Sequence, residues 1–567
     1  MPAVNDENAV AEANAVVGGA GLAPTAKPAA GNRQAADRGL VSGSARKGEA
    51  AAAPGTQRLV WLAGYLAASF LLFFCYLRLS GTVSVTSDGG NNAMQAWDMM
   101  HGNWLLSGWN LGDASYYTTE LPEYVLVEIF RGLGPAVVHI SAAITYTLLV
   151  VLAGLLAKGG KTGKEGLIRV LIASGIMIAP QVGPGTSVLL GIPDHTGTGV
   201  PLLLTFILLD RAPRRWWVPA AVGLMLVWAQ VGDRTVVTMG VLPIVVVCGA
   251  RGYRDVVQRR EPVRAHWFDL ALVVSAAVSA AVAGAVVKLI STQGGYAVSP
   301  LDTRLAPSAS WPAHVALVTD GVLRLYGAAF NAGPLGFATA LSAVHLVGVA
   351  LAAWAVGRVI RRFFACDDLI AQILTVAIVV QLAAYAISML PYALYQNHEI
   401  ASVLPFGAVL AGRVLAGRLT QVRLLPALAV VACGYLVALG YGMRQPQVPA
   451  HDQALASWLG AHHLTAGLGT YTVAGSVDLA SHGTITMAVP LLRGDSASRG
   501  GLMEQTAAEY DPRRHYANFV VTTTQDGPTF YIEPGWFIRV FGRPVHTYHY
   551  QAWTIMTWNK NLLEEIR

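Results

Sequence analysis

The sequence predicts an α-helical polytopic membrane protein of about eleven transmembrane helices, with a small extracytoplasmic α/β domain at its C-terminal end. Three observations lead there. Charged residues are 13% of the 567-residue chain and apolar residues 54%, where a soluble domain carries about 25% charged residues. Apolar runs of roughly 17–23 residues, each long enough to cross a bilayer, recur between residues 58 and 440. The connections between these runs alternate between strongly basic and poor in Lys and Arg.

Residues 1–57 are rich in Ala, Gly, Pro and basic residues and lack apolar periodicity. They are expected to be a disordered cytoplasmic tail, because they cannot bury enough apolar surface to offset the entropy of ordering. The first apolar run, LVWLAGYLAASFLLFFCYL (59–77), begins too late for a cleavable signal peptide and is long enough to span. Further spans centre near residues 146, 174, 204, 224, 242, 280, 347, 380, 409 and 432. With a cytoplasmic N-terminus the inner connections are KGGKTGK, DRAPRRW, RGYRDVVQRREPVR, GRVIRRFFACDD and GRLTQVR, all basic. The outer ones, including the long loop 81–134, are poor in Lys and Arg. The positive-inside rule thus selects one orientation in the plasma membrane, and an odd number of spans puts residues 441–567 outside. That segment reads as a helix, DQALASWLGAHH, followed by strand-like TITMAVPLL, NFVVTTT and PVHTYHYQAWTIMTWN, hence a small α/β domain.

The net charge of +6 is no sign of a nucleic-acid partner, since the basic residues are dispersed into short loops. Cys75, Cys248, Cys366 and Cys433 have no metal-ligand spacing and read as packing residues. The high Ala, Gly, Val and Arg content points to a GC-rich bacterium.

In the first outer loop, SDGGNNAMQAWDMMHGN (87–103) places Ala93, Ala96, Trp97 and Met100 on one helical stripe, with Asp98 opposite. Such a helix is expected to lie in the membrane interface with Trp97 at headgroup level. Asp88 precedes it, beside a Gly-Gly pair that permits close backbone approach. The loop continues through Asp113, Glu120, Glu123 and Glu128 with one basic residue, Arg131. Carboxylates near a bilayer are costly without partners or a function. A solvated acidic loop, with Asp88 as a helix-start residue, is the plainer alternative.

An acidic residue just after span one, a short helix ending in HGN, and TTELPEYVLVEIFRGLGP entering span two resemble the GT-C membrane glycosyltransferases. The likeness is to the branch of the protein O-mannosyltransferases and the lipid A aminoarabinose transferase. HEIASVLPFGAVLAGRVL (398–415) is similar to that family's late span. The resemblance implies a GT-C-like membrane domain and a donor sugar linked to a polyprenyl phosphate, transferred to a hydroxyl of a cell-envelope glycan, lipid or protein. Such a transfer needs a carboxylate base and groups that stabilise the departing phosphate. Asp88 takes the place of the base. Two positions depart from the pattern: Gly89 stands for a second acid, and Glu120-Leu121 for a phosphate-binding lysine and a proline.

Asp98, Asp113, Glu120, Asp194, His195, Arg234, His398 and Glu399 are the substrate-binding candidates. Arg234, His398, Arg304 and Arg324 are the candidates for phosphate. Each has a plainer reading: Arg234 paired with Asp233, His398 with Glu399, and Asp194-His195 as part of a Gly-rich turn. No resident cofactor is expected. Carboxylates and His195 suit a divalent cation such as Mg²⁺ or Mn²⁺, but no spacing matches a metal motif. The alternative function is a non-catalytic scaffold or transporter with an outer ligand-binding domain.

Overall fold

The computed structural model describes residues 54–299, 304–330, 336–391, 394–419, 421, 424–450, 452–493, 496–499, 504–523 and 532–566. The expected disordered tail falls almost wholly outside them. Trp61–Arg567 form one compact unit.

The chain opens with α1 (Pro54–Ser80), α2 (Ser87–Met100), β1 (Trp109–Leu111) and α3 (Leu121–Arg131). Then come α4 (Pro135–Lys158), α5 (Gly163–Met177), α6 (Pro184–Leu190), α7 (Gly199–Arg211), α8 (Trp217–Gly232), α9 (Leu242–Gly252) and α10 (Trp267–Thr292). After β2 (Ala297–Val298) the membrane portion ends with α11 (Trp311–Leu325), α12 (Phe337–Arg361), α13 (Leu369–Ile387), α14 (Val403–Leu419) and α15 (Leu425–Met443).

All eleven expected span centres fall in or at the start of helices. Eight helical stretches among the described residues are long and apolar enough to cross a membrane. The other three, α5, α7 and α8, have 15, 13 and 16 residues. At 1.5 Å per residue they are ~20–24 Å long, short of a ~30 Å hydrocarbon core. On length alone these three fall short, because the apolar composition that marks them runs past the helix ends into turns.

The outward faces are greasy. On α10, Leu270, Val274, Val278 and Val282 repeat every fourth residue and are all exposed, the pattern of a stripe facing lipid. Cys75 and Cys248 are buried, whereas Cys433 is exposed on α15.

The bundle has two chemically different ends, separated by α4, which at 24 residues is ~36 Å long. At its Lys158 end, the Arg413 guanidinium lies 2.8 Å from Asp210 and 2.9 Å from Asp368, and donates to the Leu156 carbonyl. Nearby connections carry the basic runs. At its Pro135 end lie loop 81–134 and the acidic residues.

The C-terminal region contains α16 (Gln453–Ala461), β3 (Ala466–Gly469), α17 (Tyr471–Ala480), β4 (Thr486–Ala488), β5 (Pro490–Arg493), β6 (Ser496–Arg499) and β7 (Gln505–Thr506). It closes with β8 (Phe519–Thr523), α18 (Pro534–Phe541), β9 (His546–Tyr550) and β10 (Trp553–Thr557). A five-stranded sheet runs β4-β3-β8-β10-β9, parallel across β4, β3 and β8 and antiparallel beyond. The expected HTYHY strand is its β9 edge, with His546, Thr547 and His549 exposed.

This region sits on loop 81–134. Strand β1 pairs parallel with β2 and antiparallel with β7, so one small sheet ties together three segments far apart in sequence. Helix α2 is not an exposed interfacial helix. Nine of its 14 residues are buried, and Ala93 and Ala96 pack with Tyr124, Val127, Val138 and, from α17, Leu479. The apolar stripe expected to face lipid faces protein instead.

Candidate active site

Asp88 occupies the first turn of α2, where the helix's unpaired N–H groups favour a carboxylate. The two glycines after it are there for space. A Cβ on Gly89 would lie 2.9 Å from both Val138 and Ile192, and one on Gly90 2.3 Å from the Gly475 carbonyl oxygen. Helices α2 and α17 therefore meet backbone to backbone, which brings Tyr471, the first residue of α17, onto the acid. Tyr471 Oη lies 2.6 Å from Asp88 Oδ1 and 2.5 Å from Glu504 Oε2. Asn91 Nδ2 donates to the same Glu504 oxygen at 3.4 Å. Burial raises the Asp88 carboxyl above its ordinary range, while the Tyr471 hydrogen bond works in the opposite direction. Glu504 is pushed up to about 8, first by burial and then by the charge of Asp88.

One turn further along α2, Asn92 Nδ2 donates to Asp194 Oδ1 at 2.7 Å. Asp194 is held well above the usual carboxylate range by burial, then by Glu504, Asp88 and Glu120. Its neighbour His195 takes a left-handed conformation, φ +53°, uncommon outside glycine. That bend points the imidazole into a buried ionic cluster. His195 Nδ1 is 2.9 Å from Asp233 Oδ2, and Nε2 is 3.4 Å from Glu399 Oε1. Burial opposes charge on His195, but Glu399 and Asp233 outweigh it, and the imidazole is pushed well above its ordinary value. Asp233 is held below its own, since His195 and the Thr235 amide overcome the effect of burial. An imidazolium paired with the Asp233 carboxylate is thus the state the geometry favours near neutral pH.

Thr198 Oγ1 donates to Asp233 at 2.8 Å and approaches Glu120 Oε1 at 3.5 Å. Glu120 is buried against Gly197, where a Cβ would come within 2.6 Å of its Oε1. Burial pushes Glu120 up to about 8, so it is largely uncharged at neutral pH. His398 stacks on His195 with ring centroids 5.2 Å apart. His195, His398 and Glu399 each offer one ligand atom, all within 4.8 Å of one another, a spacing that a divalent cation could bridge.

Of the sequence candidates, Asp194, His195, Glu120, His398 and Glu399 gather in this cluster, and Asn92 joins it to Asp88. Asp113 is half-buried, close enough for its charge to act on His195 and Glu504. Asp98 stands apart in role: its Oδ2 accepts from Asn103 Nδ2 at 2.6 Å and Trp109 Nε1 at 2.8 Å, bracing the loop. Arg234 is exposed and forms no ion pair with a described residue, the adjacent Asp233 being engaged by His195. Arg324 pairs with Asp320 at 3.2 Å. Sequence reading passed over Tyr471 and Glu504. Neither lies in a motif, and no local pattern in the sequence marks either.

No protein-family model matches the chain, and no curated protein matches it in sequence. In fold it is similar to the crystal structure of ArnT from Cupriavidus metallidurans in the apo state. That match has a TM-score of 0.51 at 11% identity over 90% of this chain and 99% of that one. ArnT bound to undecaprenyl phosphate matches with the same TM-score at 13% identity, over 88% and 97% of the two chains. The Archaeoglobus fulgidus oligosaccharyltransferase, tethered to an acceptor peptide, matches at TM-score 0.45 and 13% identity, over 81% and 69%. The chain thus shares the fold of ArnT, with a β-containing C-terminal region.

Proposed function

We propose that this protein is a membrane glycosyltransferase that moves a sugar from a polyprenyl-phosphate donor to an extracytoplasmic acceptor, with Asp88 as the base. The observation that carries this reading is the placement of Asp88: a partly buried carboxylate at a helix N-terminus, hydrogen-bonded by a tyrosine and bordered by a buried ionic cluster. The fold supports the donor class, since ArnT, whose fold the chain shares, has been crystallised with undecaprenyl phosphate. In the reaction, Asp88 takes the acceptor hydroxyl proton as the acceptor oxygen bonds to the anomeric carbon. The anomeric C–O bond breaks and its electron pair leaves on the lipid phosphate. Arg234, exposed and without an ion pair to a described residue, suits the phosphate.

The test is turnover of undecaprenyl-phosphate-linked pentoses and hexoses, labelled in the sugar, by the full chain in liposomes with cell-envelope extract. At least one donor should release undecaprenyl phosphate. Arg234→Ala should weaken its use by about 10–100-fold, the scale of a lost hydrogen bond to a charged group. Label that crosses the bilayer on an intact lipid-sugar would make the protein a transporter, and no turnover of any donor would favour the scaffold reading.

The orientation belongs to the same proposal: the basic end cytoplasmic, the acidic end and the C-terminal region outside. A reporter fused before residue 1 should read cytoplasm and one fused after residue 567 the outside. Matching sides for the two would overturn it.

A further inference from the structure

Tyr471 makes two short contacts with carboxylates but has one hydroxyl hydrogen, so it donates at most one of them. The other needs a protonated carboxyl donating to the tyrosine oxygen. Asp88 Oδ2 makes no hydrogen bond to a described residue. Glu504 itself is seated in loop 81–134, since a Cβ on Gly112 would stand 2.8 Å from its Oε1, and its backbone is left-handed at φ +58°.

We infer that Tyr471 and Glu504 are positioning residues for Asp88, so that the reacting centre is completed by the C-terminal region. Glu504 holds a proton and donates it to Tyr471 Oη, and Tyr471 donates its own hydrogen to Asp88 Oδ1. Asp88 then stays ionised, with Oδ2 left to take the acceptor's proton. This rests on the reading of Asp88 as base. Asp88 sits in the first turn of α2, where the helix N-terminus favours its ionised form, whereas burial pushes Glu504 up to about 8, so the proton belongs on Glu504 at neutral pH. The other acids whose charge reaches the bridge are Asp113, acting on Glu504, and Asp194, which feels both Asp88 and Glu504.

The sign of the pH dependence follows. Transfer needs Asp88 ionised and Glu504 protonated. Activity rises as pH passes the Asp88 value and falls as pH passes about 8. Glu504→Gln offers an N–H to Tyr471 in place of the carboxyl O–H and does not titrate. It should keep activity at pH 7 within about threefold and lose the basic limb. Tyr471→Phe removes the donor that stabilises the charged Asp88, so its acid limb should move to higher pH by about one unit.

The measurement is the pH profile of undecaprenyl phosphate release by the full chain and the two variants, each first checked for wild-type thermal unfolding. A Glu504→Gln profile that keeps the basic limb, or a Tyr471→Phe profile with an unmoved acid limb, overturns the inference. Should one variant fail to fold, the other decides. The outcome is separable from the underlying reading: an active Asp88→Asn sinks the base itself, whereas an inactive one beside unmoved limbs sinks the bridge alone.

Discussion

Asp88→Asn is expected to abolish glycosyl transfer, with a loss of ~10²–10⁴-fold or more, the scale of a positioned general base. Expression and membrane insertion should stay at wild-type level. Asparagine keeps the size of the side chain, its Oδ1 still accepts from Tyr471, and it remains a good residue at a helix start. What it cannot do is take a proton. A plain helix-start role therefore expects almost no loss, and the two readings separate by orders of magnitude. Asp98→Asn is the control on the same helix. Its oxygen continues to accept from Asn103 or Trp109, so the loop keeps most of its bracing and activity falls far less. Transfer measured with the best undecaprenyl-phosphate donor decides. If Asp88→Asn is active while Asp113→Asn or Glu120→Gln is dead, the base has been assigned to the wrong acid.

The second large effect comes from a residue with no chemistry of its own. A Cβ on Gly90 would sit 2.3 Å from the Gly475 carbonyl oxygen and 2.7 Å from its carbon, so the obstacle is backbone and cannot swing aside. Gly90→Val must push α2 and α17 apart, and overpacking of this kind costs about 1–3 kcal/mol. The shift also draws Tyr471 away from Asp88, and a displacement near 1 Å at a reacting centre is worth about 10²-fold in rate. Both a lower unfolding temperature in detergent and a ~10²-fold loss of transfer are expected. Gly64→Ala on α1, with no atom within 4 Å of its added Cβ, should change neither. Wild-type stability and activity in Gly90→Val would show that the contact between the helices has no bearing on the site.

Much of the frame was legible in the chain. Span centres are visible because a bilayer asks for long apolar runs, and run length and composition are local properties. The two ends of the bundle are visible because loop charge is local too. Asp88 could be singled out for the same reason: it sits just after a span, in front of a helix whose periodicity is plain. In the C-terminal region, α16 and the hairpin of β9 and β10 carry an amphipathic or alternating signal, since one face of each is less buried. Strand β3 and helix α17 carry none. AGLG is buried at all four positions, with Gly467 against the Phe519 ring, and Val473–Ala480 are buried throughout, between sheet and membrane domain. An element covered on both faces loses the periodicity by which it would be recognised.

The partners inside the site were also decided only in three dimensions. Chain neighbours suggested Arg234 with Asp233 and His398 with Glu399. The fold instead gives both acids to His195, which lies 38 residues from Asp233. Adjacent side chains leave the backbone in different directions, and which distant group they meet depends on how the helices pack. Tyr471 and Glu504 stand 383 and 416 positions beyond Asp88, and no local pattern marks either. Run length, loop charge and one acid ahead of a periodic helix were enough for the membrane class, the charge asymmetry and the candidate base. The Gly-Gly pair signalled that a backbone could come close to Asp88, but that it is the backbone of Gly475, and hence which groups surround the base, was settled only by the packing of α2 on α17, because a glycine pair does not name its partner.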